Sequence, residues 1–347
     1  MKKISMASII NKTIEKAMID SEKVICFGLG VTDPKGVFGT TLNLEKKFGK
    51  QRVFDVPTSE NALTGFAIGA SLNSNIPILT HQRLDFALLS LDQLINGAAK
   101  WLYMFGGQFN VPITIRMIIG RGWGQGSTHS QNLHSVFSHI PGLKVVTTSI
   151  PDDAANLLYS SIFDPNPVIF LEHRWLHNSL GRFPKKLKKN IIGKSKVVKK
   201  GKDITLVGLS YMTIECLEAA KILQAFNIDA EVVDLRTVSP LDKKTIIKSV
   251  SKTKRAIITD TSNSFCGISS TISNMIYQNV KNLKNKLEII SLPFCPEPTS
   301  LKLIENFYND RYTIANLALK MFNVNKRIKF KKPEYSDVPG DWFKGPF

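Results

Sequence analysis

One carboxylate in this chain stands where an acid can do chemistry. It is Glu60, within Asp55-Val-Pro-Thr-Ser-Glu60-Asn-Ala-Leu-Thr-Gly65-Phe-Ala-Ile-Gly69-Ala. Held out of water, such an acid can hold a proton or a hydrogen-bond donor in place; solvated, it is incidental, and on spacing alone the incidental reading comes first. The second candidate is His129, in Gly120-Arg-Gly-Trp-Gly-Gln-Gly-Ser-Thr-His129-Ser-Gln131. Four glycines around one tryptophan imply tight turns and closely approached backbone. An imidazole there can exchange protons near neutral pH, although a lone loop histidine is as readily structural. His134 and His139 follow in an expected helix and read as structural. A third group is oxygen-rich: Ser161-Ile162-Phe-Asp164-Pro-Asn166-Pro167. By itself it is an ordinary helix stop. Phe86, near His81, Gln82 and Arg83, reads by itself as core packing.

The elements that must position these residues are legible as alternation. Residues 52–55 form an expected short strand, then a proline-containing turn, then a helix of small residues (Gly65, Ala67, Gly69, Ala70) able to lie close to neighbouring backbone. That succession is one unit of a parallel α/β sheet, and ligands bind at the C-terminal ends of such strands. Further strands are expected at 23–27, 77–80, 111–115 and 141–146, with helices over 87–105 and 154–163. Gly28-Leu29-Gly30 imitates a dinucleotide loop, but no third glycine follows at the fingerprint spacing and Asp33-Pro34 intervenes. A second series of strands (203–208, 230–236, 256–260, 287–290) alternates with helices, which means a second parallel sheet. The expected fold class is α/β with two parallel-sheet domains. The boundaries read as 1–182, a lysine-rich linker 183–202, a second domain 203–325 and a tail 326–347. Trp342, Phe343 and Phe347 in the tail suggest docking on a neighbour.

Bulk properties narrow the classes. At 347 residues with 43% hydrophobic content the chain can bury two cores. Its four cysteines are widely spaced with no CxxC pair, which fits a reducing cytoplasm rather than a disulfide framework or zinc site. Charges at Lys12, Glu15 and Lys16 turn the start into an amphipathic helix rather than a signal peptide. No segment approaches the ~20 apolar residues of a membrane span. The net charge of +18 invites a nucleic-acid reading. However, much of it lies in residues 185–202 and 326–332, without aromatics spaced to stack bases, so solvated lysine faces or an acidic protein partner explain it better.

Asp55-x-Pro-x-Ser-Glu60 with Gly65-x-Ala-x-Gly69 resembles the cofactor segment in β subunits of thiamine-diphosphate-dependent 2-oxo acid dehydrogenases, of the transketolase-like superfamily. Asp234-Leu-Arg-Thr-x-x-Pro240-Leu-Asp242 and Pro296-x-Pro298-Thr-Ser resemble the family's C-terminal domain, and the likeness covers about residues 5–325. It implies a pyrimidine-binding fold followed by a transketolase C-terminal-like domain. It also implies roles for the residues above. Glu60 would hydrogen-bond a ring nitrogen of the thiamine aminopyrimidine and favour the tautomer that takes the thiazolium proton, so the protein supplies orientation and electrostatics. Phe86 would lie against the ring, Thr58 and Gln82 would be further cofactor contacts, and the His-Ser-Gln trio makes His129 catalytic. Ile113, Ser161, Ile162, Asp164 and Asn166 match positions that wrap a structural potassium ion, whose hard charge suits oxygen ligands.

Departures from the pattern carry information. Leu29-Gly30 stands where relatives carry an acidic pair. His81 and Arg83 stand where pyruvate-type enzymes carry uncharged or acidic residues, which implies a substrate pocket for an extra anionic or polar group. The chain holds no Gly-Asp-Gly diphosphate–Mg²⁺ motif, so an α subunit is expected to hold Mg²⁺ and half of the site, in an α₂β₂ heterotetramer. The expected function is oxidative decarboxylation of a 2-oxo acid, pyruvate or related, with the acyl group passed to the lipoyl group of an acyltransferase. The alternative is a split transketolase-like or acyloin-forming subunit, and a non-catalytic basic module that binds acids is the reading from another class. Neither nucleic acid nor membrane is an expected partner.

Overall fold

The computed structural model describes residues 2–121, 124–305, 307–329, 338 and 343. The docking tail expected at 331–347 lies outside the described residues except for positions 338 and 343, as do Gly122 and Trp123. The chain divides into two compact units, Met1–Ile119 with Val136–Ile192, and Gly120–Ser135 with Gly193–Phe347.

The first unit is organised by a parallel sheet of β1 (Val24–Gly28), β2 (Val53–Phe54), β3 (Ile76–His81), β4 (Thr114–Ile119), β5 (Lys144–Thr147) and β6 (Val168–His173). Their order across the sheet is β5-β6-β4-β3-β1-β2, in register at Cys26↔Ile78 and Ile78↔Thr114. Val-Ile-Cys-Phe-Gly in β1 and Thr-Ile-Arg-Met-Ile-Ile in β4 are buried at every position, as strands of a sheet covered on both faces must be. Three helices flank it: α1 (Met6–Asp20), α2 (Glu60–Leu72) and α3 (Pro151–Ile162). In α1 the buried Ile9, Ile10, Thr13, Ile14 and Ala17 recur at helical spacing, and Ser5 caps its start.

Three expectations need correction here. The strand expected at 111–115 runs instead from Thr114 to Ile119, because the amide-free Pro112 cannot pair and Arg116 fits inside the sheet by meeting Glu172 of β6. The strand expected at 52–55 is only Val53–Phe54, since the Arg52 side chain turns to the carbonyls of Met18, Ser21 and Val24. The helix expected over 87–105 is broken into short turns, Leu84–Ala87, Leu88–Ser90, a wide π-turn Gln93–Ala98 and Trp101–Met104. There Gly97 lies so close to α2 that a Cβ would stand 3.0 Å from Ile68 Cδ1.

The second unit has β7 (Lys196–Lys199), β8 (Ile204–Gly208), β9 (Ala230–Asp234), β10 (Ala256–Asn263) and β11 (Glu288–Leu292), in the order β11-β10-β8-β9-β7. All pair in parallel except β7, which runs antiparallel to β9. The lysine-rich linker is thus corrected: part of it is the outermost strand of this sheet. Helices α4 (Tyr211–Gln224), α5 (Lys243–Thr253), α6 (Ile268–Asn279) and α7 (Arg311–Met321) complete the unit. Its core gathers Leu206, Val232 and Ile257 from the strands with Cys216, Leu223, Ile314 and Leu319 from the helices. No described helix is long and apolar enough to cross a membrane.

Candidate active site

β1 lies between β3 on one side and β2 on the other. Chain leaving β1 and chain leaving β3 therefore diverge, and a crevice opens beyond the C-terminal ends of the two strands. A cleft with about 310 Å³ of empty space, part of it open to solvent, occupies that place. Leu29 follows β1, His81 ends β3 and Gln82 follows it, and Pro57, Thr58 and Ser59 lead into α2, which Glu60 begins; all of them line it, with Leu63, Leu79, Thr80 and Phe86.

Two glycines let these segments meet. Gly28, at φ 150°, passes so near β3 that a Cβ would stand 2.2 Å from the Thr80 carbonyl oxygen. At Gly30, φ 76°, a Cβ would meet Gln82 Nε2 at 2.4 Å. Gln82 instead donates from Nε2 to the Leu29 carbonyl at 3.1 Å, while the Gly30 amide donates to the Asp55 carboxylate at 2.9 and 3.2 Å. Gly30 is therefore the residue that allows Gln82 to reach the Leu29 carbonyl.

Glu60 is the first residue of α2, a position where the helix dipole favours a carboxylate. It is half-buried within this chain. Of the residues assigned to the ring, Thr58, Glu60, Gln82 and Phe86 all face one cleft. The cleft offers an acceptor, an aromatic face, an amide and the apolar Leu29, Leu63 and Leu79, a set that fits a flat heteroaromatic ring bearing donors.

The two substrate-pocket candidates separate. His81 is buried and lines the cleft, and its Nε2 has no hydrogen-bond partner among the described residues. Burial pushes its imidazole down to about 4, so the group is uncharged at neutral pH. Arg83 is buried but is not among the lining residues. The ring that faces the cleft can therefore meet a neutral polar group, but it brings no cation for an anion.

Beneath the cleft lies a network that sequence reading missed. Arg116 donates to both Glu172 oxygens, at 2.6 and 2.9 Å, and to Thr80 Oγ1 at 3.3 Å. His177 Nε2 stands 2.9 Å from Glu172 Oε2. Burial alone would raise the Glu172 carboxyl, yet Arg116 and His177 hold it at about 2. Burial lowers the His177 imidazole, against the pull of Glu172. The one signal available was a pair of opposite charges inside two otherwise apolar strands, and nothing in the sequence says that they meet.

His129 belongs to the second unit. It is half-buried, with Nδ1 3.0 Å from Thr128 Oγ1. His134 is fully buried and bonds Asp260 Oδ1 at 3.0 Å. The potassium candidates sit together in the first unit. Ser161 and Ile162 end α3, and Ile113 precedes β4 with its carbonyl accepting from the Val168 amide at 2.9 Å. The Asp164 carboxylate accepts from the Asn166 amide at 3.0 Å and receives Lys144 Nζ at 2.7 and 2.6 Å. Lys144 balances the Asp164 charge in this corner of the unit.

The sequence matches the family described as transketolase, pyrimidine binding domain, over residues 2–178, and that described as transketolase, C-terminal domain, over 193–310. The β subunit of acetoin:2,6-dichlorophenolindophenol oxidoreductase from Cupriavidus necator is 38% identical over 336 residues, covering 94% of this chain and 99% of that protein. The pyruvate dehydrogenase E1 component subunit beta of Rickettsia bellii is 35% identical over 319 residues, 92% and 98% of the two chains. The same subunit from Acholeplasma laidlawii is 39% identical over 256 residues, 74% and 78%. Among solved structures, a split-gene transketolase in an inactive β4 tetramer aligns with a TM-score of 0.73 at 19% identity, over 94% of this chain and 100% of the other.

Proposed function

This chain belongs to the transketolase-like family of β subunits found in pyruvate dehydrogenase E1 and acetoin oxidoreductase enzymes, and on that premise we propose its reaction. It is the β subunit of a thiamine-diphosphate-dependent 2-oxo acid dehydrogenase, active with an α subunit in an α₂β₂ assembly and passing its acyl product to a lipoyl acyltransferase. Thiamine diphosphate, when bound, supplies the nucleophilic carbon and the electron sink that allow a 2-oxo acid to lose CO₂. Glu60 would accept a hydrogen bond from the aminopyrimidine and favour the tautomer that takes the thiazolium proton. Phe86, Gln82 and Thr58 would hold the ring, beside the apolar Leu29, Leu63 and Leu79. His129 holds or moves a proton at the reacting carbonyl of the substrate, or helps pass the acyl group onward. Mg²⁺ would stay with the α subunit, Ile113, Ser161, Ile162, Asp164 and Asn166 are the residues that would hold a structural potassium ion, and the assembly works in the cytoplasm.

The observation that carries this reading is the gathering of Thr58, Glu60, Gln82 and Phe86 on one cleft at the switch point of the sheet. A second reading, acyloin cleavage or formation, is favoured by the neutral His81 in that cleft and by the 38% identity to an acetoin oxidoreductase subunit. The test is to co-express the chain with its α subunit, supply thiamine diphosphate and Mg²⁺, and offer 2-oxo acids or acetoin with a lipoyl domain. Acyl-lipoyl product from a 2-oxo acid supports the first reading, and turnover of acetoin alone replaces it with the second. Turnover of neither removes both.

A further inference from the structure

The loop that carries His129 is fastened on both sides of the histidine, and these fastenings lie within the second unit. Upstream, the Arg121 guanidinium stands 3.4 Å from the centroid of the Tyr308 ring. The Tyr308 hydroxyl donates to Glu297 Oε2 at 2.6 Å, and Ser127 Oγ donates to the Glu297 carbonyl at 2.7 Å. Gly126, at φ 69°, passes so close to Thr299 that a Cβ would meet its Oγ1 at 2.3 Å. Downstream, His134 is held by Asp260, and Ser135 Oγ accepts from the Ile268 amide at 3.2 Å. The His129 amide itself closes a turn onto the Gly126 carbonyl at 3.3 Å.

The anchoring residues are themselves stiff. Glu297 sits between Pro296 and Pro298, whose rings fix the backbone. Burial pushes Arg121 down to about 10, against the upward pull of Tyr308, Tyr211, Glu297 and Glu215. A guanidinium partly taken from water is stabilised by an aromatic face; here the Tyr308 ring supplies that face, and its hydroxyl holds Glu297.

We propose that Tyr308 is a positioning residue for His129: with Glu297 it clamps Arg121 and Ser127, so the C-terminal unit sets where the loop imidazole stands. This rests on the role given to His129 above, and it assigns to the Pro-Glu-Pro-Thr segment a task in catalysis rather than in packing alone. A loop held only at its downstream end would let the imidazole wander, and an error of about 1 Å is worth up to roughly 100-fold in rate.

The experiment compares Tyr308→Phe and Tyr308→Leu in the assembled α/β enzyme. Tyr308→Leu, which loses the ring, should lower kcat by roughly 10-fold to 100-fold with KM and thiamine diphosphate affinity nearly unchanged. Hydrogen exchange over residues 120–135 should rise with it. Tyr308→Phe keeps the stacking face and should restore most of kcat and most of the protection. Native exchange and native kcat in Tyr308→Leu would overturn the proposal, as would equal damage in the two variants. If Tyr308→Leu does not assemble, Arg121→Met releases the clamp from the loop side and should give the same exchange signature; native protection there overturns the proposal too. His129→Ala separates the two claims: full activity in that variant removes the catalytic reading, while exchange that still depends on Tyr308 preserves the clamp.

Discussion

At the scale of single residues the reaction turns on Glu60 and its neighbours. Glu60→Gln keeps the size of the side chain but removes the charge, so turnover should fall by roughly 100-fold or more while α/β assembly on gel filtration stays intact. His81 makes a prediction that needs no substrate. Its folded imidazole titrates near 4 against an ordinary 6.5, so below pH 6.5 the unfolded chain binds a proton that the folded chain refuses. Stability should therefore decline as pH falls from 6.5 towards 4, by about 3 kcal/mol from this one group. Urea unfolding of His81→Leu should show a flatter profile in that window; an unchanged slope would mean the imidazole is not shielded. Glu60 and His129 were singled out only through the family resemblance, because spacing alone reads the one as an incidental loop acid and the other as readily structural. Asp55 capping Gly30, and Gln82 bridging to Leu29 across 53 residues, were legible only as family positions, since their partners are far away in sequence.

At the scale of elements, the cleft exists because β1 and β3 nearly touch. Gly28→Ala should push them apart, through the Cβ placed 2.2 Å from Thr80 oxygen, and should destabilise the first unit by about 3 kcal/mol. Thermal unfolding would show it, and an unshifted midpoint would mean the strands can slide. The Arg116–Glu172–His177 network makes the complementary case. Glu172 is held near 2 against an ordinary 4.5, so its contribution is complete above pH 4.5 and is lost as pH falls from there through 2. Glu172→Gln should therefore cost about 3 kcal/mol at neutral pH and flatten this lower window, distinct from the one set by His81. Strand and helix succession was readable because apolar runs and turn residues declare themselves locally. The register of β4 and the breaks after Leu84 were not, because an ion pair and the contact of Gly97 with Ile68 decide them.

At the scale of the whole molecule, the cleft lined by Thr58, Glu60, Gln82 and Phe86 belongs to the first unit and His129 to the second. With no Gly-Asp-Gly anywhere in the chain, isothermal titration should find no saturable uptake of thiamine diphosphate with Mg²⁺ by this chain alone, and saturable uptake once α subunit is added. Tight binding to the isolated chain would contradict the shared site. The positive charge, ambiguous in composition, gains a physical place in the second unit. β7 is the outermost strand of its sheet, and it carries Lys196 and Lys199 with Lys194, Lys200 and Lys202 close by in the chain. An outer strand is where a foreign strand adds, the first step towards fibrils. Lys199 is balanced by Asp229, but a second copy approaching that margin still brings the other ammonium groups against its own, so neutralising Lys194, Lys196, Lys200 and Lys202 should seed insoluble protein long before it alters any rate.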